Sequence, residues 1–93
     1  MGKYTLILTP EAKDELRAWR KIGDKAIITK IEKIVDELSV HPTTGTANPK
    51  RLKGDLSGYW SRKLNKKDRI IYKIIDSEVS VQVFSLRGHY GDT

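Results

Sequence analysis

Ile27, Ile28, Ile31, Ile34, Val35 and Leu38 recur at spacings of three and four and form one apolar stripe. That pattern specifies a helix with a single buried face, and such a helix must find an apolar surface to lie on. Lys25, Lys30, Lys33, Asp36 and Glu37 fall mostly off the stripe and read as its solvated side, with Lys33 and Glu37 an opposite-charge i, i+4 pair and Glu32 and Asp36 a like-charged one. Asp24 caps this helix, and Gly23 before it stops another. The earlier helix begins with Thr9 as N-cap and Pro10 in its first turn, where a missing N–H costs nothing. Glu11, Asp14 and Glu15 suit its positive end, and Ala12, Leu16 and Trp19 share one face.

Outside the helices the period changes to two. Residues 3–8 read as a strand stopped by Thr9-Pro10. Residues 41–49, with two prolines, a glycine and small polar residues, sustain neither period and read as a loop. Residues 51–53 predict a short strand, and residues 56–64, 69–75 and 78–86 predict three longer ones, joined by turns at 65–68 and 76–77. Alternation places Trp60, Arg62 and Leu64 opposite Tyr59, Ser61 and Lys63. It places Val79, Val81, Val83 and Ser85 opposite Ser80, Gln82, Phe84 and Leu86. One face of this meander is the only large apolar surface on offer to the helices. The expected fold class is therefore α+β: two N-terminal helices packed on one face of an antiparallel sheet, in the order β-α-α-β-β-β, as one domain over residues 1–93.

Composition narrows the function classes. A chain of 93 residues buries roughly 60–65% of the surface its unfolded form exposes, enough for a small core. Without cysteine there is neither a disulfide framework nor a thiolate zinc site, and His41 and His89 lack metal-ligand spacing, so no cofactor is expected. No apolar run approaches the ~20 residues that span a bilayer, and no signal-like segment opens the chain, so a cytoplasmic protein without a membrane partner is the expectation.

The charge is unevenly placed. Nine of the 18 Lys and Arg residues lie within residues 50–73, where only Asp55 and Asp68 oppose them. A local basic strip on a sheet points to a phosphate-bearing partner. Arg51, Lys53, Arg62, Lys63 and Arg69 are the candidate phosphate ligands, with Arg62, Lys63 and Arg69 on adjacent hairpin strands. His89 is the candidate proton donor, and the Tyr90 ring offers a stacking face for a base. Tyr59, Trp60 and Tyr72 read as packing groups, and His41 as a solvated residue or a cap on helix carbonyls.

The run Leu52-Lys53-Gly54-Asp55-Leu56-Ser57-Gly58-Tyr59-Trp60-Ser61-Arg62-Lys63, then Asp68-Arg69-Ile70-Ile71-Tyr72, then His89-Tyr90, resembles the YoeB/Txe family. These are toxins of bacterial type II toxin–antitoxin pairs within the RelE-like group. The resemblance implies a microbial-ribonuclease-like fold, cleavage of mRNA in the A site of the 70S ribosome, and inhibition by a cognate antitoxin that wraps the toxin. Free toxin as a homodimer is a further possibility. Arg69 matches the family's phosphate-binding arginine, His89 its general acid and Tyr90 its base-stacking tyrosine, and Lys63 stands where many relatives have arginine. Lys50 departs from the pattern: relatives read Pro-Glu-Pro-Leu-Lys there, and that glutamate is taken as the general base. The tail Gly91-Asp92-Thr93 is a second departure, since relatives usually end at the tyrosine.

Metal-free RNA cleavage needs a base for the 2′-OH, cations for the phosphorane and an acid for the departing 5′-oxygen. Arg69 with Arg62 or Lys63 meets the second need and His89 the third. Lys50 or Lys53 is left as candidate base, because crowding among like charges favours a neutral amine. The expected activity is a ribosome-dependent endoribonuclease. The alternatives are a ParE-like toxin that acts by binding a protein such as gyrase, and a catalytically weak toxin that binds RNA or the ribosome.

Overall fold

A computed structural model of the chain describes residues 3–88. The first helix, α1 (Pro10–Ile22), is fixed at both ends by the residues its sequence supplies. The Thr9 side chain accepts from the Ala12 N–H at 3.1 Å. Gly23 takes φ 79°, a left-handed turn that a Cβ would oppose, and its N–H returns to the Trp19 carbonyl at 3.1 Å. In α2 (Lys25–Leu38), Asp24 caps the Ile27 N–H at 3.1 Å. Side-chain caps of this kind contribute about 1 kcal/mol each.

The strands are β1 (Thr5–Leu8), β2 (Lys50–Arg51), β3 (Tyr59–Lys63), β4 (Arg69–Ile75) and β5 (Ser80–Gly88), with single 3₁₀ turns at Gly54–Leu56 and Asp76–Glu78. They form one five-stranded sheet in the order β1-β5-β4-β3-β2. The expectation of a purely antiparallel sheet is corrected at one edge: β1 runs parallel to β5, with Thr5 opposite Ser80 and Leu8 opposite Val83. The predicted short strand starts one residue early and ends two residues early, at Lys50–Arg51, and pairs antiparallel with β3. Periodicity finds a strand but not its partner, and this parallel pairing joins the two ends of the described chain.

Both helices cover the same sheet face. Ala12 and Trp19 from α1, Ile27, Ile31, Ile34 and Leu38 from α2, and Leu64, Ile70, Tyr72, Val81, Val83 and Leu86 from the sheet form one buried cluster. Leu86 corrects the alternation expected for β5. Tyr72 pairs with Val83 and Arg69 with Gly88, so β5 is two residues longer than the stretch of β4 it faces. These bulges shift the parity, and Val83 and Leu86, three apart, both turn to the helices. The backbone groups freed there are taken up by α1. One Glu15 carboxylate oxygen accepts from the Leu86 N–H at 2.6 Å, the Arg87 N–H at 3.0 Å and the Ser85 hydroxyl at 3.0 Å. Trp19 Nε1 donates to the Leu86 carbonyl at 2.9 Å. Among the described residues, no helix is long and apolar enough to cross a membrane.

Candidate functional site

The sheet face away from the helices collects the cations. Residues directly opposite one another on neighbouring strands share a face. Lys50 lies opposite Ser61, Ser61 opposite Ile71, Lys63 opposite Arg69, and Tyr59 opposite Lys73. Trp60, Ile70 and Tyr72 pack with the helices, so Lys50, Lys63, Arg69 and Lys73 lie together on the free face. Among the described residues, none in a strand is acidic. Lys63 and Arg69 are like charges directly opposite one another, an arrangement that is unfavourable unless an anion lies between them. The β3–β4 turn that sets this register is an Asn turn: the Asn65 side-chain oxygen accepts from the Lys67 and Asp68 N–H groups at 2.9 and 2.7 Å.

Gly88 lies opposite Arg69 at the end of β5. There is no room for a side chain at that position, since a Cβ on Gly88 would come within 2.6 Å of Ile71 Cγ1. The next two residues, His89 and Tyr90, lie outside the described residues.

Three of the predicted phosphate ligands, Arg51, Lys53 and Arg62, lie outside the rows of this face. Arg51 follows Lys50 along β2 and so turns to the other side, where its guanidinium lies 5.8 Å from the Trp60 ring centroid. There it lines a cavity of about 540 Å³ with Tyr4, His41, Pro42 and Trp60. Lys53 is exposed beside the Gly54–Leu56 turn, outside the β2–β3–β4 rows.

Arg62 is the larger correction. It is completely buried, at 0% exposure, and every one of its five N–H donors is used. Nε donates to Tyr72 Oη at 3.3 Å. Nη1 donates to Glu37 Oε1 at 2.6 Å and to the Thr46 carbonyl at 3.3 Å. Nη2 donates to the carbonyls of His41 and Thr44 at 2.7 and 2.8 Å. Tyr72 Oη donates in turn to the Pro42 carbonyl at 2.7 Å. A loop without its own secondary structure leaves carbonyls without partners, and here Arg62 and Tyr72 supply them. The guanidinium is a clamp on the 41–46 loop and has no donor left for a phosphate.

Glu37 completes the clamp and was not legible as such in the sequence, where it reads as a solvated partner of Lys33. Its carboxylate accepts from Thr46 N and Oγ1 at 2.8 and 2.7 Å as well as from Arg62. Burial pushes its pKa up, but the Thr46 hydrogen bonds and the Arg62 guanidinium together outweigh that and hold it below the usual carboxylate value. Tyr72 moves the other way, because burial raises its pKa more than Arg62 lowers it, so the phenol keeps its proton. The faint signal in the sequence was position: Glu37 lies three residues after Ile34, at the margin of the apolar stripe.

The chain has clear relatives. A family model described as the YoeB-like toxin of bacterial type II toxin–antitoxin systems matches residues 8–90. Toxin YoeB of Escherichia coli (strain K12) is 33% identical over 85 residues, covering 91% of this chain and 98% of that protein. Among solved structures, a YoeB/ParE toxin from Agrobacterium tumefaciens superposes with a TM-score of 0.84 at 30% identity, covering 92% of this chain and 99% of that one. The YoeB of Staphylococcus aureus, solved in a heterotetrameric complex with YefM, gives 0.78 at 25% identity over 94% of this chain and 98% of that one. Its dimer gives 0.81 at 25% identity over 95% and 99%.

Proposed function

The chain belongs to the YoeB-like toxins of bacterial type II toxin–antitoxin systems, and on that premise we propose that it is a ribosome-dependent mRNA endoribonuclease that stops translation. The observation that carries this reading is the convergence of Lys50, Lys63 and Arg69 on the helix-free face, with the strand leading to His89 ending opposite Arg69. Lys63 and Arg69 receive the scissile phosphate and stabilise the charge that builds on its oxygens in the transition state. His89 protonates the departing 5′-oxygen. Lys50 stands nearest to the role of base for the 2′-OH, across the sheet from Ser61. Tyr90 stacks on a base, and the ribosome contributes orientation of the mRNA in its A site. A cognate antitoxin and a second copy of the chain are the protein partners, by analogy with the YefM-bound and dimeric S. aureus toxin.

Primer extension on translating ribosomes tests the reading. Added protein should produce new mRNA ends, and His89→Ala and Arg69→Ala should each abolish most of them. If both variants cleave like the parent, the assignment fails. A second reading, a toxin that acts by binding a protein target, is favoured by Lys50, which removes the carboxylate that the resemblance places at this point. Under that reading Lys50→Glu leaves toxicity unchanged and no ends appear.

A further inference from the structure

The helix-free face also carries an aromatic pair that the proposed chemistry does not use. Tyr59 on β3 and Phe84 on β5 reach across β4, their ring centroids 5.3 Å apart and their planes at 70°, an edge-to-face contact. Lys73, directly opposite Tyr59, holds its ammonium 5.5 Å from the Tyr59 centroid. Neither ring belongs to the core beneath the helices, and both are half-buried. Phe84 is the residue displaced by the β5 bulge, since Ile71 pairs with Ser85 and Tyr72 with Val83. The bulge therefore sets a large aromatic where the regular ladder has no partner position for it.

We propose that Tyr59, Phe84 and Lys73 form a second nucleotide subsite, in which a base of single-stranded RNA stacks on the aromatic pair and Lys73 contacts its phosphate. The proposal rests on the reading of the basic face as an RNA surface. Lys73 lies four residues along β4 from Arg69, about 13 Å at the rise of a strand. The subsite thus takes a base flanking the phosphate held at Arg69, not the nucleotide whose 2′-OH reacts. The choice of RNA over a protein partner follows from charge. The row of cations continues through the subsite, and among the described residues no strand residue offers a carboxylate to a basic or mixed-charge protein surface. Alternating cations and rings is how single strands are held without dependence on sequence.

The test is fluorescence anisotropy with a short labelled oligouridylate, titrated with the full chain carrying His89→Ala to prevent turnover, over a range of salt. Tyr59→Leu and Phe84→Leu keep apolar volume but remove a π-face. Each is expected to weaken binding about 5- to 150-fold, the range that one lost stack carries, with the salt slope unchanged and the native circular dichroism spectrum kept. Tyr59→Phe should bind like the parent. Lys73→Ala should lower the slope of log K against log salt by about 0.7, the value for one phosphate contact on a single strand. If Arg69→Ala weakens binding while both leucine variants bind normally, the subsite is refuted and the RNA face stands. If the parent binds no RNA, free or on programmed ribosomes, both fall.

Discussion

Replacing Arg62 by methionine separates a structural arginine from a phosphate ligand. The substitution removes five donated hydrogen bonds at once and leaves the Glu37 carboxylate facing apolar volume, along with the carbonyls of His41, Thr44 and Thr46. Taking one partner from a buried ion pair costs about 3–5 kcal/mol. A chain of 93 residues has a total stability of roughly 5–14 kcal/mol, at about 0.05–0.15 kcal/mol per residue. The variant should therefore lose a large share of its stability. Each kcal/mol shifts the midpoint by about 4–8 °C in a domain this small, so thermal unfolding followed by circular dichroism should show a fall of at least ~12 °C. Hydrogen exchange should show early opening of residues 41–46. Among molecules that remain folded, the salt slope of RNA binding should be that of the parent. Arg62→Lys should not rescue, because an ammonium cannot make the five-donor fork. A variant that melts within a few degrees of the parent but has lost one phosphate contact in the salt slope would show that the clamp has been misread.

Glu37, with its pKa held below the unfolded value, contributes stability that is complete above about pH 4.3 and is lost as pH falls through the folded value. In Glu37→Gln that part of the acid limb should disappear from an unfolding titration, at the cost of lower stability at neutral pH. Glu15→Ala should destabilise the fold by about 1–3 kcal/mol, because it leaves the Leu86 N–H without its acceptor and the Arg87 N–H with the Ser85 hydroxyl alone. Its signature is faster amide exchange at those two positions than at Val81 or Val83. Gly45→Ala should cost more than about 1 kcal/mol in urea unfolding, since the residue sits at φ 118° and a Cβ would come within 2.4 Å of Glu37 Oε1. If Gly45→Ala is neutral, the 41–46 loop is not held against Glu37 as described.

Much of the scaffold was legible because it rests on neighbours in sequence. Thr9, Gly23 and Asp24 cap helices through contacts three or four residues away. The stripe of α2 follows from helical period, and the Asn65 turn closes on itself within three residues. The side-chain roles read least well were those of Arg62, Glu37 and Glu15. All three carry charge, and a charge on an amphipathic element reads as solvated or as ligand-binding until its long-range partner is known. Glu15 meets a strand 71 residues away, and Arg62 meets Glu37 across 25.

By itself the sequence determined that two capped helices precede an alternating sheet, that the sheet carries a concentrated positive strip, and which family the pattern resembles. Each of these depends on local stereochemistry, on period or on simple charge count. The tertiary structure alone decided which cations face outward. Alternation already set Arg62 with Trp60 and Leu64, but only packing showed that their side is the helix side, where a guanidinium must find every partner within the protein. Lys50, Lys63, Arg69 and Lys73 fell to the free face. The same structure shifted the parity of β5 by a bulge, turning Leu86 into the core and displacing Phe84 from the ladder. Parity along a strand is a local rule, and one extra residue in the pairing, set by contacts far away in sequence, reverses it.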